Sequence, residues 1–172
     1  MKLLVCLDGE PHTRGAIERA IALGLSEPAD VIGLHVVDPW LRQFYSEIYA
    51  QGRKEYLQWV DECLKAEALR AGEEFDALCS AERLEVDFKI RHGEPLTQIL
   101  EEISELSPDL VITGAKTMTA WARLRSGNVP MRLKKKLSGK ISIVSIGPAD
   151  GHTNVTGLTP PAETGMEQSR AR

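Results

Sequence analysis

Short apolar runs alternate with helical stretches along this chain, and that alternation limits its fold more than any other feature. Leu3–Leu7 ends at Asp8-Gly9-Glu10-Pro11, Val31–Val37 at Asp38-Pro39, and Leu110–Thr113 at Gly114. Leu84–Ile90 alternates apolar and charged residues, as a less buried strand does, and Ile141–Ile146 is a fifth apolar run. Runs of this length, closed by turn residues, read as strands. A single strand after each helix demands parallel pairing and right-handed crossovers. The expectation is an α/β fold: an open five-stranded parallel sheet in the order 3-2-1-4-5, with helices on both faces.

The helices are legible from their starts and stripes. Thr13 is placed to cap a helix from about Arg14, with Ile17, Ala20, Ile21 and Leu25 at helical spacing. A long region, roughly Leu41–Ser80, is rich in good helix formers, and Gly52 is a candidate divide. Nine acids against five bases between positions 41 and 82 read as a solvated face. Pro95 opens a third helix striped by Leu96, Ile99, Leu100, Ile103 and Leu106, which Ser107-Pro108-Asp109 ends. A last helix is expected from about Val129 to Leu137. From Pro148 to Arg172 the chain is rich in Gly, Pro, Thr and Ser with almost no apolar residues, so we read domain 1–147 followed by a disordered tail, 148–172.

Composition narrows the function classes. A net charge of −4 does not suit a protein built to grip nucleic acid. The three cysteines, Cys6, Cys63 and Cys79, are far apart and form no CxxC or Cys/His pattern, so neither a disulfide framework nor a zinc site is expected. No leader is read at Met1–Leu7, and no run approaches the ~20 apolar residues of a transmembrane segment. The expected location is cytoplasmic.

In an open parallel sheet, ligands bind beyond the carboxyl ends of the strands, where the strand order reverses. For the order 3-2-1-4-5 that point lies between strands 1 and 4, at Asp8-Gly9 and Gly114. Ala115–Ala149 contains no acid and eight bases: Lys116, Arg123, Arg125, Arg132, Lys134, Lys135, Lys136 and Lys140. Ser126-Gly127-Asn128 falls where the last helix starts, and a helix N-terminus approached through glycine is a natural phosphate site. A solvated basic helix face is the competing reading. Met118, Trp121 and Leu124 interrupt the basic loop at helical spacing, either as a lid or as a docking element.

These residues resemble the universal stress protein family. Val5-Cys6-Leu7-Asp8-Gly9 is similar to that family's opening strand and its adenine-contacting acid. Leu34-His35-Val36-Val37-Asp38 is similar to its second strand, Arg91-His92-Gly93-Glu94-Pro95 to its third strand and helix start, and Leu110-Val111-Ile112-Thr113-Gly114 to the strand before its phosphate loop. The resemblance runs from about residue 2 to 147 and implies a Rossmann-like fold of the adenine nucleotide α-hydrolase-like kind. Nucleotide-binding members carry Gly, two residues, Gly, nine residues, then Gly and Ser or Thr. Here the frame is Gly114, Ala115-Lys116, Thr117, nine residues, Gly127 and Asn128. The spacing is intact, while Thr117 replaces the second glycine and Asn128 the hydroxyl residue.

Carried over residue by residue, the resemblance implies that Asp8 with Gly9 and the Val36 backbone contact adenine. Gly114, Thr117, Gly127 and Asn128 then line ribose and phosphates; Lys116 or Arg123 adds charge there, which follows from their sign and not from the resemblance. The same resemblance implies ATP or AMP as ligand, with Mg²⁺ as a companion of the nucleotide, and a homodimer paired through Ile141–Ile146. Two functions follow. One is a regulatory protein that binds an adenine nucleotide and signals through dimer or partner contacts. The other is an adaptor that docks a partner, such as a transporter, through its basic face and the Trp121 loop. No nucleophile stands at a recognisable spacing, so an enzyme is not expected and a nucleotide hydrolase lacks a visible base. Arg91-His92-Gly93-Glu94 matches a short phosphatase signature, but it lies mid-chain and has no second-histidine context.

Overall fold

The computed structural model describes residues 1–10, 13–40, 43, 54–114, 129–137 and 141–146. Five strands are present: β1 (Lys2–Leu7), β2 (Asp30–Val37), β3 (Val86–His92), β4 (Leu110–Gly114) and β5 (Ser142–Ile146). All pair in parallel in one sheet of order β3-β2-β1-β4-β5, which is the expected order. Four helices of the described residues alternate with them: α1 (Arg14–Ser26), α2 (Lys54–Ala81), α3 (Pro95–Leu106) and α4 (Val129–Leu137). The first part of the long helical region read from the sequence, with Gly52, lies outside the described residues, as does the segment 148–172.

β1 is central, and its side chains feed both cores. Leu3, Val5 and Leu7 point to one face, where Ala16, Ile17 and Ala20 of α1 and Phe75 and Cys79 of α2 cover them. Leu4 points to the other face, beneath Leu96, Ile99 and Ile103 of α3 and Leu133 of α4. A smaller cluster, Val60, Leu64 and Ala68, seats α2 over Val37 at the end of β2. This alternation is the two-residue period of a strand, with both of its faces buried by crossover helices.

Two glycines set how closely α2 approaches the sheet. A Cβ at Gly33 of β2 would lie 2.8 Å from the rings of both Phe75 and Phe88, and one at Gly72 of α2 would lie 2.8 Å from Phe88. The two rings pack 6.1 Å apart over that space.

Two local expectations change. Thr13 does not cap α1 with its side chain: its backbone is already helical (φ −79, ψ −16), and its hydroxyl donates back to the Glu10 carbonyl oxygen at 2.6 Å. β3 begins at Val86 and not Leu84, because Leu84 N–H still closes the end of α2 on the Cys79 carbonyl, beyond a left-handed Arg83 (φ 58). β3 is the less buried strand expected from its alternating charges, yet those charges are engaged. Lys89 and Arg91 reach under α3 to Glu102, which has no exposed surface.

Cys79 is buried and Cys6 half-buried, and all three cysteines are free. Burial, followed by the charge of Glu102, pushes the Cys6 thiol up to about 12. Burial followed by Asp76 pushes Cys79 up to about 11. Thiols held protonated in this way are inert. No helix of the described residues is long and apolar enough to cross a membrane.

Candidate functional site at the carboxyl ends of the strands

The order in which strands are added reverses between β1 and β4, and the residues that leave those strands form the floor of the site. Cys6 pairs with Thr113, so the end of β1 and Gly114 continue side by side. Beyond Leu7, the Asp8 carboxylate accepts the Glu10 N–H at 3.0 Å, closing a tight turn. Gly9 within it has φ +76, a conformation in which glycine is unstrained and side-chain-bearing residues are not. Glu10 is fixed in turn, since its carbonyl accepts the Thr13 N–H at 2.9 Å.

Glu67 of α2 leans over this turn. A Cβ on Gly9 would lie 3.3 Å from its Cγ. Burial raises the Glu67 carboxyl above its ordinary value. The charges of Glu10 and Asp8 add to that rise, and Arg70 opposes it. Three carboxyl groups, Asp8, Glu10 and Glu67, thus crowd the rim beside β1.

β2 supplies the neighbouring wall. Val36 is level with Arg91 of β3, and the Val37 carbonyl accepts the Gly93 N–H at 3.1 Å, drawing the β3–α3 turn against the end of β2. The Asp38 carboxylate accepts the Trp40 N–H at 2.9 Å. His35, one rung before Val36, is buried, and its Nδ1 lies 3.0 Å from the Leu7 carbonyl oxygen. Burial holds its pKa below the ordinary histidine value, and His92 adds to that shift. The Leu7 carbonyl and Asp8 oppose it, and the ring stays neutral.

Four of the residues read from the sequence thus meet at one edge of the sheet: Asp8, Gly9, Val36 and Gly114. Lys116, Thr117, Arg123, Gly127 and Asn128 lie outside the described residues, with Met118, Trp121 and Leu124. Asp8 and Asp38 each bond a backbone N–H of their own turn. Among the described residues, no group of three or more His, Cys, Asp or Glu side chains can hold a metal ion.

Arg91 does not serve the short phosphatase signature. Its guanidinium is taken up by Glu102 and Glu105, with Glu101 at 3.7 Å. Glu94 caps α3 by accepting the Thr97 N–H at 2.7 Å and meets Arg132 of α4 at 3.5 Å. The Thr97 hydroxyl chiefly holds its carboxyl below the ordinary value. On α4, Leu133 is buried, whereas Met131, Arg132, Lys134, Lys135 and Lys136 are exposed.

A broad, open cleft lies elsewhere. It opens at the amino ends of β1, β2 and β3, between Lys2, Asp30, Asp76, Arg83 and Glu85. Crossover helices present their C-termini there, so their dipoles disfavour a phosphate. The reversal of strand order and the glycine turn make the carboxyl ends the better site.

Sequence reasoning missed His35 and Glu67, and it missed the pairing of Glu102 with Lys89 and Arg91. The spacing did contain one signal: Glu102 is three residues from Ile99 and next to Ile103, on the apolar stripe of α3. A carboxylate on such a stripe must find cations.

Comparison with known proteins places this geometry. The model of the universal stress protein family matches residues 1–144. Among curated proteins, none matches the sequence. A universal stress protein family member from Burkholderia pseudomallei superposes with a TM-score of 0.63 at 17% identity, over 86% of this chain and 96% of its own. One from Arabidopsis thaliana with AMP bound superposes at 0.62 and 16% identity, over 87% and 92%. A universal stress protein in complex with cAMP superposes at 0.60 and 17% identity, over 85% and 96%.

Proposed function

Given that the chain belongs to the universal stress protein family, we propose that it is a non-catalytic regulatory protein that binds an adenine nucleotide at the carboxyl ends of β1 and β4. The observation that carries this reading is the turn at the reversal of strand order, where Asp8 and the left-handed Gly9 stand beside Gly114. Asp8, Gly9 and the Val36 backbone hold adenine, and Gly114, Lys116, Thr117, Gly127 and Asn128 hold ribose and phosphate. Structural neighbours crystallised with AMP and with cAMP support the ligand class. The rim carboxyl groups of Asp8, Glu10 and Glu67 favour the less charged nucleotide, so AMP binds more tightly than ATP.

The bound state signals through contacts with a second copy or a partner. β5 is an edge strand, and Ser142–Ile146 contains no charge to guard that edge. Pairing there in a homodimer satisfies its free backbone groups.

Calorimetric titration of nucleotide-stripped protein with AMP and ATP tests the reading. Micromolar AMP binding is expected, with weaker ATP binding. Gly127→Val should abolish both while leaving thermal unfolding unchanged. No heat at millimolar nucleotide would remove the nucleotide function. The adaptor reading would then stand, and exposed Met131 among Arg132, Lys134, Lys135 and Lys136 on α4 favours it.

A further inference from the structure

The last backbone carbonyl of β1 is where the core ends and the site begins. Leu7 is 4% exposed, so its carbonyl oxygen needs a donor, and the next residue is Asp8. Parallel pairing in this register gives it the Val36 N–H, and its remaining lone pair takes the side chain of His35, its register partner on β2, at 3.0 Å. A carbonyl oxygen only accepts, so Nδ1 carries the ring proton and Nε2 is left as an acceptor. Among the described residues the ring makes no second hydrogen bond. His35 is therefore held in one tautomer and one orientation, and its single bond ties the end of β1 to the end of β2.

We propose that His35 is a positioning residue of the carboxyl-end site: by donating Nδ1–H to the Leu7 carbonyl oxygen it fixes where β1 stops and where Asp8, Gly9 and Glu10 turn. The part that concerns ligand affinity rests on the nucleotide reading above; the part that concerns the turn does not. Without this second donor, the buried Leu7 carbonyl keeps only its ladder bond, and the residues that follow it are held less tightly.

The test uses the full-length chain. Nitrogen-15 imidazole shifts of the wild-type protein report the tautomer, and hydrogen exchange reports the Glu10 amide, which the Asp8 carboxylate holds. The Nδ1-protonated neutral form is expected. His35→Asn, whose amide nitrogen reaches the Nδ1 position, should keep the Glu10 amide protected and AMP affinity near the wild-type value. His35→Gln and His35→Leu should expose that amide and weaken AMP by about tenfold, the scale of one lost hydrogen bond to a buried group.

A general packing role would loosen the Val5 and Glu10 amides together and would not be rescued by Asn. That result, an Nε2-protonated ring, or full Glu10 protection in His35→Leu overturns the proposal. If the variants fail to fold, the wild-type tautomer decides. If wild-type protein binds no AMP, the nucleotide reading falls, while tautomer and exchange still judge His35.

Discussion

Under α1 and α2 the sheet meets mainly hydrocarbon and aromatic surface. Phe75 and Phe88 fill the space that Gly33 and Gly72 leave, and Leu3, Val5, Ile17 and Ile112 close around them. Under α3 and α4 the same sheet meets Leu96, Ile99 and Leu133, but also the carboxylate of Glu102, with no exposed surface, gripped by Lys89 and Arg91 from β3. One face is held mainly by volume, with the Cys79 thiol and the His35 imidazole kept neutral by burial. The other depends on a buried charge staying charged, since burial pushes the Glu102 carboxyl up and the Lys89 and Arg91 hydrogen bonds outweigh it, holding the group below its ordinary value. A strand with alternating charges can therefore be half of a core contact when the facing helix supplies the counter-ion.

The contrast can be broken from either side. Phe75→Ala empties the first face and should cost about 4 kcal/mol, the range of aromatic truncations in a core. Denaturant unfolding should show that loss unchanged between pH 7 and pH 4. A loss that varies with pH would mean that Phe75 is coupled to a titrating group.

Arg91→Met strands the buried carboxylate with Lys89 alone and should cost about 3 kcal/mol, as when one partner of a buried pair is removed. The same unfolding experiment checks it, and a loss below about 0.5 kcal/mol, the size of a surface effect, would show that Lys89 suffices.

Glu102→Gln keeps the shape and removes the charge, with an expected loss of about 1–2 kcal/mol at neutral pH. The folded Glu102 pKa is depressed, so its contribution is fully present above the unfolded value near 4.5 and is lost as pH falls through the folded value. Wild type should accordingly fall towards the Gln variant below about pH 4.5, whereas the Phe75→Ala offset persists. A wild-type to Gln difference that survives at pH 2 would assign the effect to packing and not to charge.

The parts of the fold that were legible from residue order are those with a local cause. Apolar runs of strand length closed by Asp8-Gly9, Asp38-Pro39 and Gly114 gave the strands, and Pro95 and the Leu96–Leu106 stripe gave α3. The single-strand alternation gave parallel pairing, and with the order taken as 3-2-1-4-5 it put Asp8, Gly9 and Gly114 at one edge. Thr13 misled because the same hydroxyl that can cap a helix can also bond back to Glu10. Leu84 misled because it is apolar for the sake of the core under α2 and not as part of β3.

By itself, then, the sequence determined the element order, the parallel sheet and the turns at its carboxyl edge, since each follows from period, length and turn chemistry within a few neighbouring residues. Only the tertiary structure decided which polar groups share the interior. Lys2 N–H finds Asp109 across 107 residues, His35 finds the Leu7 carbonyl across 28, and Glu102 finds Lys89 from the opposite side of a turn and helix. A buried donor or charge must be satisfied by whatever the packed chain brings near it, and that partner is a property of register and crossover, invisible until strands and helices are set against one another.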